Sequence, residues 1–241
     1  MTQSPLSVDI PSNYQNVLRR IDESAKKSGR DGSEISLVGV TKRIEMGRIQ
    51  LAIDAGLKII GEVVGTELKT KILQIKNYSP STELHVVGRM QSNKVKFAVE
   101  NCNLIQSVQQ EKILSLINKR AINQNKIYPI LIQVDFSNVE FLKGLNIKET
   151  LKFLDKVKDY SNVCVHGIMT IAPLEFERDQ KFLRKLFSKT TEIFENQIKP
   201  LLMIDNPQLS MGMSNDFDVA IEEGSNMVRI GTSIFGPRLP K

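Results

Sequence analysis

The sequence predicts a single (β/α)8 barrel of the TIM type with one extra helix at its N-terminal end. Three observations predict it. Short β-branched runs alternate with longer amphipathic stretches, the pattern of a parallel sheet wrapped in helices. There are eight such runs. The 241 residues match the size of a closed barrel, about 200 to 250 residues. A doubly wound open sheet is the competing topology. No Pro/Gly/Ser-rich linker or low-complexity segment interrupts the chain, so residues 1–241 are read as one domain.

The first helix is expected over Ser12 to Ser28, with Val17, Leu18, Ile21 and Ala25 on one face. Ile35 to Val40 reads as strand one. The helix from Glu45 to Ala55 stops at Gly56. Leu57 to Gly61 is strand two, and Thr66 to Lys76 the next helix. Leu84 to Gly88 is strand three, with a helix near Lys94 to Glu100. Asn103 to Val108 is strand four, with a helix from Glu111 to about Asn123. Pro129 to Phe136 and a helix from about Ile147 to Lys158 form the fifth unit. Val163 to Met169 and a long helix from about Glu177 to Gln197 form the sixth. The seventh strand lies within Leu201 to Met211, before a helix from Asp216 to Glu223. Met227 to Gly231 is the eighth strand.

Composition narrows the class. Hydrophobic residues make up 41% and charged residues 25% of the chain, which suits a folded globular protein. The net charge is +6, but basic residues are interleaved with acids, as in Lys148-Glu149. That pattern describes solvated helix faces, not a nucleic-acid stripe. No apolar run approaches membrane-spanning length and Met1 to Asn13 has no signal-peptide pattern, so a cytoplasmic protein is expected. Cys102 and Cys164 lack metal-ligand spacing and are expected as reduced, buried thiols.

Barrel chemistry collects at the C-terminal ends of the strands. Those ends carry Lys42, Glu62, Gly88-Arg89, Ser107, Asp135, Met169-Thr170, Ser210-Met211 and Arg229 with Gly231-Thr232. Alternation puts Val38, Val40 and Lys42 on the inward face of strand one. A desolvated lysine there is expected to be a nucleophilic amine, although a lysine snorkelling from the barrel mouth is the commoner case. Arg229 lies in an otherwise apolar strand that barrel closure brings beside strand one. A buried arginine needs an acceptor, either an acid in the barrel or a ligand atom. Ser210 to Asp216 and Gly231 to Ser233 follow strands seven and eight, the usual phosphate cradle of such barrels. A lysine, an arginine and a phosphate cradle are the parts of a pyridoxal 5′-phosphate (PLP) site.

The segments Leu37 to Lys42, His85 to Lys94, His166 to Pro173, Leu209 to Ser214 and Gly224 to Gly236 resemble the PLP homeostasis protein family. That family's barrel is similar to the N-terminal domain of alanine racemase. The resemblance runs from the first helix to Arg238. It implies a PLP Schiff base on Lys42, Arg229 at the pyridine nitrogen, Met211 near the ring, and Ser210, Ser214, Gly231 and Thr232 around the phosphate. Two departures stand out. The family's Gly-Glu-Asn-Tyr is Gly61-Glu62-Val63-Val64 here, which removes an amide near the cofactor. Its Lys-Thr-Lys-Pro is Lys42-Arg43-Ile44-Glu45, which removes a second lysine.

Other polar residues are read as structural. His85 is expected to line the barrel, and His166 to sit in its wall. Gln91 to Lys94 is expected as a loop leading into a helix. Lys143, which matches a family lysine, is expected in a surface loop.

Two functions are compatible with such a site. An arginine at the pyridine nitrogen makes PLP a weaker electron sink. Alanine racemase supplies a second base as a tyrosine from another domain of a partner subunit. The only tyrosines here are Tyr14, Tyr78, Tyr128 and Tyr160, none at a strand end. The favoured expectation is a non-catalytic, monomeric PLP carrier or regulator in vitamin B6 homeostasis, with apo-forms of PLP enzymes as candidate partners. A PLP-dependent amino-acid racemase is the alternative. A plain phosphate-ligand barrel is the third class.

Overall fold

The computed structural model describes residues 8–64, 68–137, 144–173 and 179–237. Eight parallel strands close into a barrel in sequence order. They are β1 Ser36–Val40, β2 Ile59–Glu62, β3 Glu83–Val86, β4 Leu104–Val108, β5 Tyr128–Gln133, β6 Val163–Met169, β7 Gln208–Ser210 and β8 Met227–Ile230. Helices lie between them: α1 Ile10–Lys27, α2 Met46–Asp54, α3 Leu68–Tyr78, α4 Val95–Asn101, α5 Glu111–Ile122, α6 Ile147–Val157, α7 Gln180–Ile193, α8 Phe217–Glu222 and the single turn α9 Thr232–Phe235.

Closure is carried by β8 pairing with β1, and the register sets Val38 beside Arg229 and Gly39 beside Ile230. The expected barrel and the extra N-terminal helix are therefore both present.

Two apolar layers hold the barrel. The lumen contains Val38, Val87, Leu104, Leu131, Met169 and Met227. The larger cluster lies between strands and helices, with residues such as Ile60, Ile105, Ile130, Ile168 and Leu209 on the outward strand faces. This is strand alternation at work: each strand gives one set of side chains to the lumen and the other to the helices.

Local chemistry explains the helix ends. Asp9 caps α1 by accepting from Ser12 N at 3.0 Å, with Pro11 just inside the helix. Asn146 and Glu149 form a reciprocal capping box at α6. Gly56 ends α2 with φ +109°, a conformation that strains any residue with a Cβ.

The boundaries differ most around α7 and β7. The expected long helix runs through α7 and continues as a π turn, Phe194–Ile198, before a 3-10 turn at Lys199–Leu201 around Pro200. Strand β7 is only three residues long, because Pro207 has no N–H to extend its ladder. β5 also stops early, at Gln133, leaving Val134 in an isolated bridge with Leu145. Gln91 to Lys94 is a short 3-10 turn leading into α4. Lys143, Glu177 and Arg238 lie outside the described residues.

Among the described residues, no helix is long and apolar enough to cross a membrane. No group of three or more His, Cys, Asp or Glu could hold a metal among them. Cys102 is buried and Cys164 half-buried, and both are free thiols.

Candidate functional site

A cavity of about 440 Å³ opens at the C-terminal mouth of the barrel. Its lining includes Val40, Lys42, Val63, Gly88, Ile171, Met213, Ser214, Asp216, Arg229, Gly231 and Thr232. The volume falls in the range of small-ligand sites. Strands β1 and β8 bring Lys42 and Arg229 to it from 187 positions apart in sequence, 229 minus 42.

Lys42 is exposed, which corrects the expectation of a desolvated amine. β1 ends at Val40, so Lys42 stands beyond the strand, where the chain turns away through Arg43 at φ +57°. What is buried is the backbone that carries it. Thr41 is fully buried, and its carbonyl accepts from Lys71 Nζ at 2.9 Å. Lys71 also pairs with Glu62 at 3.2 Å, and the Thr41 hydroxyl donates to the same carboxylate. Glu62, a strand-end candidate, thus belongs to this latch behind the site.

Arg229 is only 4% exposed. Its acceptors are neutral: Ser210 Oγ at 2.7 Å and the Thr170 carbonyl at 2.7 Å. Burial pulls the guanidinium down to about 10, and the nearby Asp216 carboxylate opposes that shift. It therefore remains a cation at neutral pH. Its side chain is at once anchored in the barrel and part of the cavity wall.

The loops after β7 and β8 meet at Ser214. Its hydroxyl oxygen accepts from Gly231 N and Ser233 N, each at 3.3 Å. Two amide hydrogens from the start of α9 thus converge on one oxygen, an arrangement that a phosphate oxygen can also satisfy. Gly212, with φ +96°, makes the sharp turn out of β7. A Cβ there would lie 2.7 Å from Ala220 Cβ and 2.9 Å from Phe217 Cα.

Two expected contacts do not fit this arrangement. Ser210 is fully buried and its hydroxyl is engaged by Arg229 and Gln106, so it supports the arginine and does not line the cavity. Met211 faces the layer between barrel and helices, and Met213 lines the cavity. Neither Ser210 nor Met211 is among the residues that line the cavity.

Three contributors were not singled out from sequence. Gln106, Lys71 and Asp216 are all buried. Lys71 had a legible signal, since it shares the buried face of α3 with Leu68, Ile72 and Ile75. Gln106 is a polar residue inside an apolar strand. His85 lines the barrel as expected, 3.0 Å from the Gln106 amide. His166 is half-buried on β6, and burial lowers its pKa.

Residues 19–239 match the family described as alanine racemase, N-terminal domain. A pyridoxal phosphate homeostasis protein of Aquifex aeolicus is 35% identical over 223 residues, covering 92% of this chain and 95% of that protein. The chain belongs to the pyridoxal phosphate homeostasis protein family. The Escherichia coli K12 member is 30% identical, with 95% of this chain and 97% of that protein covered. Among solved structures, PipY of Synechococcus elongatus with PLP bound is 27% identical with TM-score 0.76, covering 90% of this chain and 100% of that one. An alanine racemase of Clostridium difficile has TM-score 0.74 at 13% identity, covering 97% of this chain and 58% of the enzyme. That last likeness is one of fold.

Proposed function

We propose that this chain binds PLP as a Schiff base on Lys42 and holds it for vitamin B6 homeostasis, without robust catalysis. The observation that carries the reading is the convergence of Lys42, Arg229 and the Ser214–Gly231–Ser233 cluster on one cavity. The donor set suits the cofactor. Ser214, Gly231 and Thr232 hold the phosphate, Arg229 donates to the pyridine nitrogen, and Lys42 provides the amine. Ser210 serves by holding Arg229 in place.

Bound PLP supplies an aldehyde for the lysine and a ring able to withdraw electrons. This chain's residues limit the second property. A guanidinium that remains a cation can only donate to the ring nitrogen, so it disfavours protonation there. Among the described residues lining the cavity, the side chains able to move a proton are Lys42 and Asp216. The Asp216 carboxylate is occupied by the Met213 amide and the field of Arg229. No tyrosine, histidine or cysteine is among the described lining residues. The reading takes the chain as one cytoplasmic barrel domain, monomeric, with apo-forms of PLP enzymes as recipients.

The test is a visible spectrum of protein incubated with PLP, paired with a racemisation assay on L- and D-alanine. A Schiff-base band lost in Lys42→Ala, with no racemisation at enzyme-like rates, is expected. Rapid racemisation would overturn the carrier reading, and binding without the band would reduce the site to a plain phosphate-ligand pocket.

A further inference from the structure

The contacts that hold Arg229 have a polarity that can be worked out donor by donor. A guanidinium has only N–H groups to give. At 2.7 Å, therefore, Ser210 Oγ accepts from Arg229. The serine's own hydrogen then goes to Gln106 Oε1 at 2.8 Å. That orients the amide, so Gln106 Nε2 faces His85 Nδ1 at 3.0 Å. An amide nitrogen donates, so Nδ1 must carry the lone pair and the imidazole hydrogen must sit on Nε2. Nε2 lies 3.6 Å from the Glu83 carboxylate, which favours a hydrogen on that side.

This polarity leaves no member of the chain without a partner. With the amide turned over, its N–H would face a serine oxygen already accepting from Arg229, and the serine hydrogen would lose its acceptor. The members come from β8, β7, β4 and β3, so the chain crosses the lumen from one wall to the facing wall. Gln106 and Ser210 are fully buried and His85 is 3% exposed, so water does not compete for these contacts. The same Gln106 amide nitrogen lies 3.3 Å from Met227 Sδ, two residues before Arg229 on β8.

We infer that Gln106 is a positioning residue for Arg229: through Ser210 it sets the guanidinium that borders the cofactor cavity, while His85 fixes the orientation of the Gln106 amide. The inference rests on the PLP reading above and deepens it. Gln106 is not among the residues that line the cavity, and acts only through the arginine.

Two measurements test it. The first is the rate of PLP release from wild type, Gln106→Leu and Gln106→Glu. The leucine removes both ends of the link, and release should quicken by about tenfold or more, because an Arg229 no longer held in place gives up its own charge-assisted bond to the ring. The glutamate keeps the shape and the acceptor for Ser210, and should restore release toward the wild-type rate. The second uses histidine-selective isotope labelling, which gives only two imidazoles, His85 and His166. Wild-type His85 should be the Nε2–H tautomer. Saturation with PLP should move its Nδ1 resonance in wild type but not in Gln106→Leu, while His166 stays still.

An Nδ1–H tautomer of His85 in wild type overturns the inference even if the leucine variant does not fold. So does a folded Gln106→Leu that releases PLP at the wild-type rate while borohydride still traps PLP on Lys42. If wild-type Lys42 is not trapped, the parent reading fails and this inference fails with it.

Discussion

Replacing Lys71 with methionine should cost about 3–5 kcal/mol of folding stability, because it breaks a buried ion pair from one side only. Lys71 Nζ lies 3.2 Å from Glu62 Oε1, with side chains 10% and 6% exposed. At that distance, and at an effective dielectric of about 20, the attraction is roughly 5 kcal/mol. Taking the ammonium away leaves the carboxylate with neutral donors, the Thr41 hydroxyl and Val63 N at 3.2 Å. It also strips the buried Thr41 carbonyl of the Nζ donor at 2.9 Å. For a chain of this size each kcal/mol lowers Tm by about 2–4 °C, so the expected fall is on the order of 10 °C. Urea unfolding of wild type, Lys71→Met, Glu62→Gln and the double variant measures the loss and the coupling. Recovery of much of the loss in the double variant is expected, since the unpaired charge is then gone. PLP capacity should fall in Lys71→Met as well, since Thr41 is the residue before Lys42. A loss under about 1 kcal/mol, or additive single changes, would refute the latch, because contacting residues should couple.

Further outcomes follow from the same geometry. Val63→Asn should tighten PLP by about fivefold, the worth of one hydrogen bond near ~1 kcal/mol, as read by equilibrium titration; unchanged affinity counts against the missing amide. Ser214→Ala should weaken PLP by about tenfold, one charge-assisted bond, yet leave pyridoxal binding unchanged, and equal losses for both ligands would remove Ser214 from the phosphate site. Burial pushes the Cys102 thiol up to about 12 from 9.0, so Cys164 should react first with a thiol reagent in native protein at pH 8. The raised folded value also means that this thiol's contribution to stability is complete below about pH 9 and is lost as pH rises toward about 12. Alkaline unfolding of Cys102→Ala should be correspondingly flatter over that window, and an unchanged profile would contradict the assignment.

Much of the architecture could be read before any coordinates. Eight β-branched runs separated by amphipathic stretches specify the barrel, and closure then dictates that Arg229 sits beside β1. The Val38–Arg229 pairing is that consequence in the structure. Element ends were less legible where proline or a loop decides them, as at Pro200 and Pro207.

The clustering of Lys42, Arg229, Ser214, Gly231 and Thr232 at one cavity was legible, and the packing around them less so. Lys42 was expected to be desolvated because alternation carried it inward, but alternation stops with the strand at Val40. Ser210 and Met211 are both expected at the cofactor, but Ser210 is taken up by Arg229 and Gln106 and Met211 packs in the layer between barrel and helices. Gln106 carried a signal of the opposite kind. A glutamine in Leu104-Ile105-Gln106-Ser107-Val108 is costly in an apolar lumen unless its amide is satisfied on both sides. Its partners, His85 and Ser210, are far from it in sequence, and only the closed ring brings them together. Long-range pairing of this kind is set by topology, which local pattern does not encode.

The central claim is that Lys42 holds PLP covalently. Borohydride reduction of protein incubated with PLP, followed by digestion and peptide mapping, tests it most directly. The account predicts one phosphopyridoxyl label, on the peptide containing Lys42, and its disappearance in Lys42→Ala. A label on another lysine, or none on a protein that binds PLP tightly, would contradict it.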